Sequence, residues 1–322
     1  MPHYLPDKSF HQYLDAMAAM HPFLVDLIDE EHLSNGLADE YVEQLNRISW
    51  EFEGIGRKGR GEAYNRAQES PDNRSIGMTS LMQCFCKNGS ALPDKSSIIV
   101  DGLAGDGTVS RFFRDLDGPT IVSADLSGFM IDACLRQGLP CIRQSVARSL
   151  LKDNSLDGVL IAYGAHHLDQ AARASSCAEA FRTLKPSGRL VLHDFEVGGS
   201  VAKWFDEVVH PFSTTGHDYP HFTREEMFRL LTEAGFPDVR VFQMRDPFTL
   251  SGATAEEAVA RATWHMYYMY DLTKITNDPK QILSRVQVHI RNTLGEIAVE
   301  KTDSGYTATI ERAALVAVGT KS

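Results

Sequence analysis

The sequence predicts an α/β fold: an open, mostly parallel sheet with helices on both faces, preceded by an added helical region. Three observations predict it. From Ile98 onward, short apolar runs alternate with helical patterns, as in repeated strand–helix–strand units. The first of these runs, Ile98-Ile-Val-Asp101, passes directly into a turn holding Gly102, Gly105 and Gly107. The next, Thr120-Ile-Val-Ser-Ala-Asp125, ends on an acidic residue.

Taken in order, residues 1–95 read as a helical cap or lid. Leu14, Met17, Ala18, Leu24 and Leu27-Ile28 give His11–Ile28 a helical apolar face interrupted near Pro22. Leu37, Tyr41, Leu45, Ile48 and Phe52 give Leu37–Phe52 another. Four glycines in Gly54-Ile-Gly-Arg-Lys-Gly-Arg-Gly61 then break the pattern, as a hinge, a basic loop over an acidic ligand, or a solvated loop. Ile76–Cys86 is a short helix, followed by turns at Asn88-Gly89 and Pro93-Asp94.

Residues 96–322 read as the α/β domain. Strands are expected at 98–101, 120–124, 141–143, 157–163, 189–195 and 239–244, with helices near 108–116, 127–137, 170–184 and 223–235. A helical insertion at about 252–297 combines the aromatic-rich run Thr254–Thr276 with Pro279–Ile297, and should join the N-terminal helices as a lid. Tyr306–Ile310 and Ala313–Gly319 are strand-like, the last returning to the sheet as an antiparallel strand.

Composition narrows the functional classes. The net charge of −11 argues against a nucleic-acid partner, which needs a basic face. No apolar run reaches the length of a membrane span, and Met-Pro-His-Tyr does not open a signal peptide. Five cysteines without CxxC spacing fit reduced thiols, and so a cytoplasmic protein. The N-terminal helices could also form a homodimer interface.

The glycine turn carries the first chemistry. Glycines let backbone approach a ligand, and the helix after them offers free N–H groups and a positive dipole end. In a Rossmann-type sheet, an acidic residue at the end of the second strand holds a ribose hydroxyl pair. A dinucleotide site wants Gly-x-Gly-x-x-Gly, but Ser110 stands where the last glycine would fall. The pattern Asp101-x-x-x-Gly105-x-Gly107 instead resembles motif I of the class I S-adenosylmethionine (SAM)-dependent methyltransferases, with Leu103 in place of that family's first glycine. Leu184-Lys-Pro-Ser-Gly-Arg-Leu190 resembles the turn before their fifth strand, and Asp157–Tyr163 their fourth strand; the likeness spans about 98–248.

That resemblance implies a Rossmann-like methyltransferase sheet with SAM at the strand ends. Asp101, Gly102, Gly105 and Gly107 would face its methionine and ribose part. Asp125, followed by Leu126, would accept from the ribose hydroxyls. Ser145 and Val146 would flank adenine, without the acidic residue many members carry there. Tyr163 and Gly164 would border the methyl-donor region.

Seven histidines fall between positions 166 and 265: His166, His167, His193, His210, His217, His221 and His265. A single such histidine would be a structural side chain. A set of them near strand ends suits either one tuned general base or a divalent metal such as Zn or Fe held by imidazoles and a carboxylate. His217 and His221 have chelating spacing. His166 stands 20 residues before Pro186, which resembles the plant-type O-methyltransferases, whose histidine at this place is the general base.

The longer segments Trp50–Arg57, Gly59–Arg66, Ala162–Leu168 and Thr215–His221 resemble a narrower family, the bacterial 2-oxo-acid C-methyltransferases that make β-methyl amino-acid precursors of peptide natural products. This likeness implies methylation of the β-carbon of a 2-oxo acid, with 5-guanidino-2-oxopentanoate the nearest substrate. It implies a metal on His166, His217 and His221 stabilising an enolate, and a base among His193, Asp194 and His167. A guanidinium side chain would want a carboxylate pair, for which Glu51 and Glu53 are candidates. Other readings are an O-methyltransferase using His166 as base, a SAM-cyclising azetidine-carboxylate synthase, and a SAM-binding protein without catalysis. The aromatic run Trp264–Tyr270 would suit a phenol, but a buried amphipathic helix explains it equally.

Overall fold

The computed structural model describes every residue except 1, 2, 30, 32–34, 50, 51, 55–58, 88 and 90, and the side chains of 35–38. Trp50, Glu51, Asn88 and the centre of the glycine-rich loop therefore lie outside the described residues.

Seven strands form the main sheet: β1 (Ile98–Asp101), β2 (Thr120–Asp125), β3 (Cys141–Arg143), β4 (Leu156–Ile161), β5 (Leu184–Asp194), β6 (Asp238–Arg245) and β10 (Ala313–Thr320). Their order is β3-β2-β1-β4-β5-β10-β6. The pairs around β1 to β5 are parallel, while β10 runs antiparallel to both β5 and β6. The final strand thus enters the sheet antiparallel, as its sequence suggested, and does so between β5 and β6.

The sheet is apolar on both faces because successive strand residues point to opposite sides. Val100, Val122, Val159, Leu190, Leu192 and Leu315 share one core cluster. Ile131 and Cys134 of α7 (Gly128–Arg136), Cys177 and Ala180 of α8 (Gln170–Thr183), and Leu230 and Leu231 of α11 (Arg224–Glu233) pack there too. Their neighbours in the strands, Ile99, Ile121, Leu160, Val191 and Val316, face Met78 and Leu81 of α5 (Ser75–Gln83) and Val109 and Phe113 of α6 (Thr108–Phe113). Each of α7, α8 and α11 starts at a side-chain N-cap, Ser127, Asp169 and Thr223 respectively.

The N-terminal helices differ from expectation. α1 (Phe10–Met20), α2 (Pro22–Leu27) and α3 (Asn35–Ile48) cover the β3 edge of the sheet rather than joining the late helices. Tyr4 and Tyr13 hydroxyls donate to the carbonyls of Arg143 and Cys141, each at 2.6 Å. The Tyr41 hydroxyl donates to Arg148 O at 2.8 Å and accepts from Ser145 N at 2.8 Å. An edge strand leaves backbone groups unpaired, and these tyrosines satisfy them. Of the N-terminal region, α4 (Gly61–Ala67) is the helix that packs on the late helices.

The insertion is also more than helical. β7 (Phe248–Gly252), β9 (Gly305–Ile310) and β8 (Ala298–Thr302) form a second, antiparallel sheet in that order. On it packs α12 (Ala255–Met269), through Ala258, Ala262 and Met266, and α13 (Ile282–Thr293) packs in turn on α12, with Val286 and Ile290 in the same apolar cluster. A Cβ on Gly252 would collide with the backbone of Ala258, so glycine lets α12 sit this close to β7. β8 escaped the sequence pattern because all five of its side chains are exposed, leaving no alternation to read. Among the described residues no helix is long and apolar enough to cross a membrane, and all five cysteines are free.

Candidate active site

The carboxyl ends of β1, β2, β4 and β5 open into a cavity of about 240 Å³. Its floor is the glycine turn after β1. Gly105 (φ 56°) and Gly107 (φ 84°) hold left-handed backbone there, and a Cβ on Gly107 would lie 2.6 Å from Leu139 Cδ1. A Cβ on Gly105 would press on the Tyr64 ring of α4, which roofs the turn. Leu103, at the position of the missing glycine, lines the cavity and touches the space beside Gly164.

Asp125 ends β2 in the cavity wall. Its two oxygens accept from Gly105 N and Ser127 N, both at 2.8 Å. The carboxylate is thereby fixed with lone pairs to spare for a diol. Burial pushes its pKa up to about 6, against those two N–H groups, with Glu53 adding to the rise. Asp101, also buried, is pushed up to about 7 by desolvation and by Asp125.

Leu126, Ser127, Ser49 and Phe52 complete this half. Ser145 and Val146 do not line it. Ser145 gives its N–H to Tyr41, and Val146 fills the space where a Cβ on Gly102 would lie. Gly102 therefore serves packing, and its N–H donates to Leu160 O at 2.8 Å. Glu53 is buried, but it accepts from Ser49 Oγ and from Gly128 N at the start of α7. It is a helix cap beside Asp125, not one of a pair of carboxylates for a guanidinium.

The other half is lined by His166 and His167, with His217 and His221 packed behind them. His166 N and His166 Nδ1 both bond to the buried Asp194 at the end of β5, at 2.8 Å. Phe195 N donates to Asp194 as well, at 2.7 Å. Burial opposes ionisation of Asp194, but His166 and these N–H groups outweigh it and hold the carboxyl well below the usual range. An ionised carboxylate at Nδ1 assigns the ring proton to that nitrogen and leaves the lone pair on Nε2. Asp194, with its oxygens so occupied and no exposure, is an orienting group rather than a base that reaches substrate.

His217 lies against His166, ring centroids 4.9 Å apart, and His221 at 5.4 Å. Desolvation and the neighbouring His166 hold His217 well below the usual imidazole range and lower His221 to about 4. His217 Nε2 and both nitrogens of His221 are buried without hydrogen-bond partners among the described residues. Neutral imidazoles with orphaned nitrogens are what a metal ligand set requires.

The donors fall into two sets whose atoms lie within 4.8 Å of one another: His166, His167 and His217, and His166, Asp194 and His221. The expected trio of His166, His217 and His221 is thus split between them. The rings of His217 and His221 stand 6.3 Å apart, so His217 groups with His167. A π-helical turn, Phe205–Val209, aims Phe205 between these rings, 4.3 Å from His217.

His193 differs from expectation. It is fully buried and does not line the cavity. Its Nδ1 accepts from Tyr163 N at 3.3 Å, and its Nε2 faces Asp246 at 3.7 Å. It supports Tyr163, which turns the chain after β4 with φ 63°, an uncommon conformation for a side-chain-bearing residue. The Tyr163 hydroxyl donates to Asp246 at 3.1 Å, and its ring lines the cavity. His265 is buried on α12 against Phe248, lowered to about 3 by desolvation and by the nearby Arg74 and Arg312. His210 Nδ1 accepts from His217 N at 3.2 Å.

Sequence reasoning missed the charged wall opposite. Arg74, Arg312, Met269 and Tyr270 line the cavity, with Asp246 behind them. Single arginines and an aspartate scattered over some 240 positions have no spacing to betray them. A hint exists only for Gly77, where a Cβ would collide with the Asp246 carboxylate.

Residues 100–192 match the model of the methyltransferase domain family. No curated protein matches the chain in sequence. Among solved structures, the YcgJ protein of Bacillus subtilis is 13% identical over 76% of this chain and 98% of its own, with a TM-score of 0.48. A SAM-dependent methyltransferase from Thermotoga maritima is 17% identical over 81% of this chain and 94% of its own, with a TM-score of 0.47. The Haemonchus contortus phosphoethanolamine N-methyltransferase 2, solved with SAM, is 15% identical over 82% of this chain and 60% of its own, with a TM-score of 0.47.

Proposed function

Starting from a SAM-dependent methyltransferase, we propose that this chain methylates the β-carbon of a 2-oxo acid through an enolate formed at its histidine cluster. The observation that carries the reading is a cluster of four imidazoles: His166 and His167 line the cavity beside its nucleotide half, and His217 and His221 pack behind them against His166. Transfer to an oxygen or nitrogen needs at most one base. Deprotonating carbon needs a base and a group that holds the developing oxyanion.

SAM, when bound, supplies an electrophilic methyl group; Asp125 accepts from its ribose hydroxyls, and Tyr64 closes over the glycine turn. His166 Nε2 takes the β-proton, and Asp194 pairs with the imidazolium that results. Holding acceptor and donor in one closed cavity supplies much of the rate enhancement. The donor set fits a divalent metal on His166, His167 and His217, which when bound would supply Lewis acidity to the keto oxygen. A ring that ligates metal is not at that moment the base, so chelation separates the two uses of His166.

The substrate's side chain meets aromatic walls: Phe195, Phe205, Tyr219 and Tyr270. Asp125 is the one carboxylate among the described lining residues, so a guanidinium would rest on ring faces rather than on acids. The His166–Asp194 pair by itself would also serve a phenolic O-methyltransferase.

The test is mass spectrometry of SAM with 2-oxo acids, including 5-guanidino-2-oxopentanoate and phenylpyruvate, with and without a chelator. One added methyl on the β-carbon supports the reading. Its survival under chelation makes His166 the base; loss restored by a divalent cation makes it a ligand. Methylation of phenols instead, or release of methylthioadenosine without a methylated acceptor, would overturn the reading in favour of O-methylation or SAM cyclisation.

A further inference from the structure

We propose that Arg74 is the carboxylate-binding residue of the acceptor pocket, so that the acceptor is a small organic acid held by its acid group. The inference rests on the methyltransferase reading above and names the anionic end of its substrate.

Arg74 closes the short 3-10 turn Pro71–Arg74 and is 6% exposed, yet it lines the cavity. Its guanidinium lies over the Tyr163 ring at 4.4 Å and the Phe248 ring at 5.1 Å, and Nη2 meets the Met269 sulfur at 3.3 Å. Nε is buried without a hydrogen-bond partner. No carboxylate pairs with Arg74 among the described residues.

The contrast is Arg312 on the same wall, 3% exposed. Its Nε donates to Asp246 O at 3.0 Å, Nη1 to the Tyr270 hydroxyl at 3.3 Å, and Nη2 to the Asp246 carboxylate. The second oxygen of that carboxylate accepts from Tyr163. Asp246 is fully claimed, so the wall holds two buried guanidiniums and one buried carboxylate. The excess positive charge belongs to Arg74.

A buried charge is tolerated when a counter-charge reaches it. Guanidinium is planar and offers paired donors that match a carboxylate. An amine or guanidinium placed at this end would be repelled. The methionine carboxylate of SAM is a second source of the same chemistry. The groups in direct contact with the Arg74 guanidinium, Tyr163, Phe248 and Met269, come from the turn after β4, β7 and α12 and favour the acceptor. Its own 3-10 turn also packs on α6, which follows the glycine turn, and its charge reaches Tyr64, so the nucleoside titrations below separate the two sources.

The experiment is calorimetric titration of the full chain, wild type, Arg74→Met and Arg74→Lys. The probes are S-adenosylhomocysteine, methylthioadenosine (which lacks the methionine carboxylate), and, with S-adenosylhomocysteine present, phenylpyruvate, phenyllactate and their methyl esters. Wild type should bind at least one free acid at least about tenfold more tightly than its ester. Arg74→Met should erase that preference, keep both nucleoside affinities and raise the ligand-free melting temperature; Arg74→Lys should keep part of the preference.

Loss of S-adenosylhomocysteine but not methylthioadenosine binding in Arg74→Met would overturn the proposal, because Arg74 would then hold the methionine carboxylate. An unchanged acid–ester ratio, or no acid bound by wild type, would also overturn it. If methylthioadenosine binding is lost, Arg74→Met is misfolded and Arg74→Lys carries the comparison. An Arg74-dependent preference for acids, with no 2-oxo acid methylated, would leave the proposal standing and remove the 2-oxo-acid reading alone.

Discussion

The two halves of the cavity are built in opposite ways. The half proposed for the nucleotide comes from neighbouring strand ends, with Asp125 pinned by the amides of Gly105 and Ser127. Most of its polar groups have partners before any ligand arrives. The half proposed for the acceptor is gathered from a 3-10 turn, the ends of β4 and β5, a π-helical turn, α12 and the residue before β10. Arg74 Nε in its wall, and His217 Nε2 and both nitrogens of His221 just behind His166, have no hydrogen-bond partners among the described residues. A general donor needs a rigid, satisfied cradle. A particular acceptor is recognised by groups that stay unsatisfied until it binds.

The sharpest way to break this comparison is to disable one half and read the other. Asp194→Asn should lower kcat by about 10³- to 10⁴-fold, because the carboxylate behind His166 fixes its tautomer and pairs with its charged form. S-adenosylhomocysteine affinity, measured by calorimetry, should not change; if it falls in step with kcat, the halves are not separate. His217→Ala should likewise abolish turnover while SAM still binds, and normal turnover would remove that ring from the site.

Asp125→Ala attacks from the other side. Losing the two oxygens proposed to accept from the ribose should weaken S-adenosylhomocysteine by about 10- to 100-fold, while turnover at saturating SAM stays close to wild type. A collapse of kcat would show that Asp125 does more than bind.

Acid should mimic that substitution more gently. With Asp125 titrating at about 6, its carboxylate is lost below that pH, so S-adenosylhomocysteine should bind about tenfold more weakly at pH 5 than at pH 7. The sign for stability is the reverse. The folded pKa lies above the unfolded value, so this group's contribution is present below about pH 4 and lost as pH rises through about 6. A flat binding profile would place the carboxylate outside the ribose site.

The smallest effect is structural. Gly107→Ala forces a Cβ into left-handed backbone and towards Leu139, and should cost about 2 kcal/mol, a few degrees in melting temperature. No change would mean that the turn relaxes freely, against the rigid cradle described above.

Much of the nucleotide half was legible because its residues are local. The β1 run, the glycine turn and Asp125 follow one another at intervals that strand–turn–helix geometry dictates, and the methyltransferase domain match falls on the same stretch. The reading failed one step further out. Ser145 and Val146 occupy the expected loop, but Tyr41 of α3 claims the Ser145 amide, and no pattern within the loop announces a partner 104 residues away.

Of the acceptor half, the sequence by itself offered the histidines and the strand ends that carry His166, Tyr163 and Asp194. Short apolar runs alternating with helical patterns determined the sheet, and with it the place where ligands meet strand ends. Only the tertiary structure decided which imidazoles converge, that His193 turns inward to Tyr163 and Asp246, and that Glu53 caps α7. It alone set Arg74 beside an already neutralised Arg312–Asp246 pair. The physical reason is one of range: backbone periodicity is encoded residue by residue, whereas the balance of buried charge depends on segments that meet only after the core has closed.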